Sequence, residues 1–207
     1  MPHLVLASAS PRRYQLLDQI GLTPQHVVAP SIDETPRPRE RPRVYAERMA
    51  REKAQAAHAI TTRDAIYGSA LILAADTVVA LGSRIMPKTE LAEEAATCLR
   101  LLSGRSHRVY TSVVVMLPSG RQSQRLVEAR LRFKRISPDE MDAYIASGEW
   151  RGKAGGYAIQ GRAGAFALKM TGSYSAIVGL PLYETATLLA GQGLEAHRFW
   201  AAGDLSS

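Results

Sequence analysis

Four groups of residues in this chain have the types that chemistry needs. The stretch Ser8-Ala9-Ser10-Pro11-Arg12-Arg13 places two hydroxyls and two guanidinium forks directly after the apolar run Leu4-Val5-Leu6-Ala7. Ser10-Pro11 reads as an N-cap followed by proline in the first helical position, so Arg12 and Arg13 fall in the first turn. There the helix dipole is positive, and each cation costs about 0.3–1 kcal/mol unless something negative lies nearby. Free backbone amides, hydroxyls and guanidinium groups together read as a phosphate site. An ordinary Ser-Pro helix start with solvated arginines is the other reading. Asp76 interrupts the apolar run from Leu71 to Leu81, where a carboxylate is costly to bury unless a cation, a proton or several donors meet it. It reads as a catalytic carboxylate, or as a strand-end acid capping a turn with Thr77. Asp33 and Glu34 bring acids from another segment, and convergence of one of them with Asp76 would suit Mg²⁺ or Mn²⁺. Lys53 and Lys88 are surface lysines by default. In one cleft with arginines and carboxylates they would complete a site for a metal-bound nucleotide phosphate.

The elements that must position these groups can be read along the chain. Leu4 to Ala7 is a buried strand, and the helix from Pro11 carries Leu16, Leu17 and Ile20 at helical spacing before stopping at Gly21. Val27-Val28-Ala29 reads as a short strand leading into an exposed Pro/Arg-rich loop through Pro42. Val44 to Ala59 is an amphipathic helix. Leu71 to Ala75 is apolar on both faces, as a central strand is, and Val78 to Leu81 continues it. A helix from Leu91 to Leu102 follows. Val109–Leu117 and Gln124–Lys134 are strands joined by the turn signal Pro118-Ser119-Gly120. Ser137-Pro138-Asp139-Glu140 starts another helix with a capping box, reaching Ser147. Gly152 to Gly164 is a glycine-dense loop allowing close backbone approach, and Tyr183 to Ala190 is a last helix. Alternating strands and helices with hairpins between them predict a mixed α/β architecture, with residues 1–207 as one domain of two lobes around a cleft.

Several functions are disfavoured. No apolar run approaches the ~20 residues needed to cross a bilayer, and the N-terminus has no secretory signal pattern. A single cysteine, Cys98, rules out an internal disulfide, so a reducing cytoplasm fits best. The net charge of +7 suits an anionic partner. Stable nucleic-acid binding is not expected, because the basic residues are scattered and aromatic residues make up only 6%. Cys98 and the histidines lack zinc-ligand spacing, and His107 reads as a packed or surface histidine. There is no Walker loop, no dinucleotide-binding glycine fingerprint and no nucleophile elbow.

Taken with these residues, the chain resembles the Maf family of nucleotide pyrophosphatases essentially end to end. The resemblance is carried by Leu4 to Arg13, Asp33-Glu34, Arg51 to Ala54, Ala75 to Val79, Ser103-Gly104 with His107, Lys153 to Tyr157 with Gln160-Gly161, and Gly172 to Ser175 with Gly179 to Leu182. It implies a two-lobed mixed-sheet α/β/α fold related to inosine triphosphate pyrophosphatases, with nucleotide in a central cleft and frequent homodimers. It also implies cleavage of nucleoside triphosphates between the α and β phosphates. Arg12, Thr77 and Gln160 look like the branch of the family that prefers dTTP and UTP. The amide of Gln160 offers the donor and acceptor that the O4 and N3–H edge of uracil or thymine needs. In this reading Ser8, Ser10, Arg12, Arg13, Lys53 and Lys88 hold the phosphates, and Glu34 and Asp76 hold the divalent metal. Asp76 also orients and deprotonates the attacking water. Met86-Pro87-Lys88-Thr89 departs from the family pattern of glycine, lysine and proline, which leaves the shape of that loop open. The rival functions are the same reaction on 7-methyl-GTP and a non-enzymatic, nucleotide-binding regulator of cell division.

Overall fold

The computed structural model describes residues 2–200. In chain order it forms β1 (Leu4–Ala7), α1 (Pro11–Gln19), β2 (His26–Val28), α2 (Pro42–Thr61), β3 (Leu71–Leu81), β4 (Arg84–Ile85), β5 (Lys88–Thr89) and α3 (Ala92–Leu102). Then come β6 (Ser106–Met116), β7 (Gln122–Phe133), α4 (Pro138–Ser147), β8 (Lys153–Ala154), β9 (Ala167–Thr171), α5 (Tyr174–Val178) and α6 (Leu182–Ala190). The main sheet has the order β2-β1-β3-β6-β7-β9, with β4 paired to the end of β3, while β5 and β8 form a separate two-stranded ladder. β1 runs parallel to both β2 and β3, and the remaining pairings are antiparallel. This is the mixed α/β architecture that the sequence pattern predicts.

Strand alternation decides which face each residue of β3 serves. Ile72 and Ala74 join Val5 and Ala7 against the small-residue face of α2, formed by Ala50, Ala54 and Ala57. Leu73 and Ala75 turn the other way, into the larger core with Leu4, Leu6, Leu99, Leu102 and Leu189. Continuing the alternation sends Asp76 toward α2 and Thr77 toward the opposite layer. Ala7 stands opposite Ala74 in the parallel register, so β1 ends just before the level of Asp76. The carboxyl end of β1, where Ser8 turns into α1, therefore opens beside the acid, in the crevice where open α/β sheets bind ligands.

Two expectations need adjusting. β3 is continuous from Leu71 to Leu81, so Asp76 is a mid-strand residue and the turn-capping reading fails. Ser10 has the extended backbone of an N-cap but makes no side-chain cap; its own N–H donates to the Ser8 hydroxyl at 3.2 Å. The α4 capping box is formed as predicted, with the Ser137 hydroxyl accepting from the Glu140 amide and the Glu140 carboxylate accepting from the Ser137 amide.

Candidate active site

A cleft of about 500 Å³ lies between the β1–α1 turn, the middle of β3, α2, the β5–β8 ladder and the C-terminal end of α5. Asp76 is buried at 4% exposure, and the cation it needs comes from α2. Lys53 Nζ donates to Asp76 Oδ1 at 2.5 Å and pairs with Glu34 Oε1 at 2.8 Å. Glu34 Oε2 accepts from Lys88. Of the two acids in the Asp33-Glu34 dipeptide, Glu34 is the one that converges with Asp76. Asp33 stays exposed and accepts the Thr35 amide in a local turn. Burial alone would raise the Glu34 carboxyl, but hydrogen bonds from Lys53 and Lys88 outweigh it and hold the group down at about 2.

The loop carrying Glu34 is fastened to α2 by residues that sequence reading did not single out. The Tyr45 hydroxyl donates to the Glu34 carbonyl oxygen at 2.6 Å. Arg48 grips Glu40 through Nε and Nη2, both at 2.7 Å, and its Nη2 also donates to the Thr35 carbonyl oxygen. The partners lie eight and thirteen residues away across an irregular loop, so no helical spacing signals them. Lys88 reaches Glu34 despite the unusual Met86-Pro87-Lys88-Thr89 stretch. Thr89 is fully buried, its hydroxyl donates to the Trp150 carbonyl oxygen at 2.9 Å, and the β5–β8 ladder holds the lysine in place.

On the other side of β3, Arg13 is built into the framework. Its Nε donates to the Gly179 carbonyl oxygen at 2.8 Å, Nη1 to the Ser8 hydroxyl at 3.0 Å, and Nη2 to the Thr77 hydroxyl at 3.3 Å. Thr111 adds a donor to Thr77 at 3.1 Å. Burial lowers Arg13 from its ordinary value, while Asp76 and Glu34 raise it in part. Arg12, one position earlier, also lines the cleft but makes no ion pair among the described residues. Burial lowers it, and the neighbouring Arg13 charge lowers it further. Ser10 lines the same wall.

The glycine-dense segment closes the cleft. Gly155 and Gly156 have φ of +70° and +71°, and a Cβ on Gly156 would come within 3.1 Å of the Ala95 Cα. Glycine at both positions lets the chain fold over β3 and α3 and bring Lys153, Tyr157 and Gln160 to the cleft wall. Gln160 is exposed at its lip. Beneath, the buried His107 Nε2 bonds the Tyr157 hydroxyl at 2.9 Å, and its ring lies edge-on to Phe133. His107 is thus a packed histidine, and burial pushes it down from 6.5 to about 4.

A pH dependence follows. The unfolded chain takes up the His107 proton before the folded one does, so stability is full above about pH 6.5 and falls as the pH drops toward 4. The expected loss is about 3 kcal/mol, and it begins before Glu34 loses its own contribution below pH 4.5. Urea unfolding across this range should show the slope, and a His107→Gln variant should lack it.

A mixed-sheet α/β protein with a buried acid and a cation-lined cleft at a strand end is the class that this fold and site define. A model of the family described as "Maf-like protein" matches residues 3–192, and the chain belongs to that family. It is 60% identical over 200 residues to a dTTP/UTP pyrophosphatase of Chelativorans sp. (strain BNC1), covering 97% of this chain and 96% of that protein. It is 56% identical over 197 residues to a dTTP/UTP pyrophosphatase of Mesorhizobium japonicum, covering 95% of each. Among solved structures, a HAM1 protein from Coxiella burnetii aligns with a TM-score of 0.47 at 17% identity, covering 92% of this chain and 100% of that one.

Proposed function

We propose that this protein is a nucleoside triphosphate pyrophosphatase that hydrolyses dTTP and UTP to the monophosphate and pyrophosphate. The observation that carries the reading is the buried Asp76 carboxylate, paired with Lys53 and opening on a cleft walled by Arg12, Arg13 and Lys88. The names of relatives at 55–60% identity supply the substrate class. Asp76 takes the proton of a water that attacks the α-phosphorus. As the new P–O bond forms, the bond to the β-phosphate bridging oxygen breaks and pyrophosphate leaves. Lys53 engages Oδ1 of Asp76, and no donor among the described residues engages Oδ2, which leaves that oxygen to the water. Arg12, Lys53, Lys88 and the Ser8–Ser10 turn hold the phosphates, with Arg13 bracing that turn. Gln160 reads the pyrimidine edge beside Thr77.

The donor set fits a hard divalent cation. Glu34 and Asp76 share one ammonium in a cation-lined cleft, and Mg²⁺ or Mn²⁺ takes one or two carboxylates and completes its shell with phosphate oxygens and water. Such an ion supplies neutralisation of phosphate charge during bond breaking. No helix among the described residues is long and apolar enough to cross a membrane. The reading places the enzyme in the cytoplasm, as one domain over residues 1–207 whose lobes enclose the cleft, filtering nucleotide pools.

A panel of nucleoside triphosphates assayed for pyrophosphate with Mg²⁺ and Mn²⁺ tests this. The expected result is metal-dependent release of one pyrophosphate per monophosphate, fastest on dTTP and UTP. Release of orthophosphate, or faster turnover of 7-methyl-GTP, would contradict it. In the same panel Gln160→Glu should narrow the preference for dTTP and UTP by about tenfold or more, because a carboxylate cannot donate to the base O4. Unchanged relative rates would remove Gln160 from base recognition.

A further inference from the structure

One cation of the cleft has no role in the reaction as described. Lys153, on β8, lines the cleft together with Arg12 and Lys88. Its Nζ donates to the Arg151 carbonyl oxygen at 2.9 Å, which leaves two N–H donors of the ammonium. Lys153 and Arg12 each lack an ion pair among the described residues, whereas Lys53 and Lys88 are paired with Glu34. The cleft therefore has two ends. At one, Asp76, Lys53, Glu34 and Lys88 offset one another's charge. At the other, Lys153 and Arg12 make no ion pair among the described residues, and Glu90 acts on Lys153 only through its charge. Burial and the Arg12 charge lower the Lys153 ammonium from its ordinary value, and the Glu90 charge offsets this only in part.

We infer that Lys153 and Arg12 form a diphosphate subsite, which holds the β and γ phosphates of the bound nucleotide and then the pyrophosphate that leaves, with Lys153 as its unassigned member. This rests on the proposed reaction for its orientation. Asp76 must address the α-phosphorus, so the acid-bearing end of the cleft takes the α-phosphate. Most of a triphosphate's negative charge lies on the β and γ groups, and the end whose cations lack ion pairs matches them. A neutral pyrimidine gives no reason for two such cations. As the bridging bond breaks, charge builds on the pyrophosphate, and an ammonium held in the cleft wall stabilises it. The β5–β8 ladder, which pairs Thr89 with Lys153 and Lys88 with Ala154, fixes the backbone that carries this lysine.

The test is calorimetric binding of inorganic pyrophosphate, with and without Mg²⁺, to the wild type and to Lys153→Gln, alongside binding of dTMP. The glutamine variant should bind pyrophosphate about 10- to 100-fold more weakly, the scale of a lost hydrogen-bonded charge contact, and bind dTMP as the wild type does. Lys153→Met keeps the aliphatic stem and gives the same reading should the glutamine variant not fold. Undiminished pyrophosphate binding would overturn the subsite, as would a loss of dTMP affinity equal to that of pyrophosphate. Binding needs no turnover, so the two readings fail separately. A wild type that binds pyrophosphate through Lys153 but hydrolyses no nucleotide sinks only the reaction.

Discussion

Asp76→Asn is expected to lower the turnover of dTTP by about 10²- to 10⁴-fold, the range attributable to a positioned general base. Asparagine nearly matches aspartate in shape, and its carbonyl oxygen can still accept from Lys53. Lys53 also keeps Glu34 at 2.8 Å, so the buried ammonium is not stranded and the melting temperature should stay close to that of the wild type. What disappears is the proton acceptor and one of two carboxylate charges. Steady-state rates with pyrophosphate detection, set beside a thermal melt and nucleotide binding, separate these effects. A variant that folds, binds and hydrolyses dTTP at the wild-type rate would take Asp76 out of the chemistry.

The largest loss of stability is expected from Arg13→Met. The Arg13 side chain is buried and joins three segments: the β1–α1 turn at Ser8, β3 at Thr77 and the end of α5 at Gly179. Methionine fills the space of the aliphatic stem but withdraws three donors. Ser8 keeps the Ser10 amide and Thr77 keeps Thr111, so the loss is three charge-assisted hydrogen bonds, with the Gly179 carbonyl oxygen left worst served. A net destabilisation of about 2–4 kcal/mol should follow, seen as a lower urea midpoint with an unchanged slope. Arg13→Lys should recover little, because a single ammonium cannot reproduce the planar fork that reaches all three oxygens. If both variants unfold like the wild type, Arg13 serves substrate alone and the bracing role is wrong.

The parts of this molecule legible in its sequence are those decided locally. The capping box of α4, the apolar runs of β1 and β3 and the Ser-Pro start of α1 all signal themselves within a few residues. The cost of a carboxylate among apolar neighbours singled out Asp76, and the same physics demanded a partner without naming it. Arg13 reads from sequence as one of two equivalent guanidinium groups, yet its partners Thr77 and Gly179 lie 64 and 166 residues away. Only the closed fold divides the bracing arginine from the free one. β4, β5 and β8 are two-residue strands, too short for any period, and β9 is a mostly exposed edge strand beyond the loop read over Gly152 to Gly164. The Arg48–Glu40 clasp joins a helix to an irregular segment, where spacing carries no information.

The alanines along α2 have a bearing on reactivity. With only methyl groups at Ala50, Ala54 and Ala57 between helix and sheet, the helix axis sits low, and the reach of Lys53 is matched to the depth of the carboxylate. Bulkier side chains there would act as shims, lifting the ammonium off its target without altering any group that touches substrate. The thickness of an apolar seam thereby tunes an ionic contact beside it.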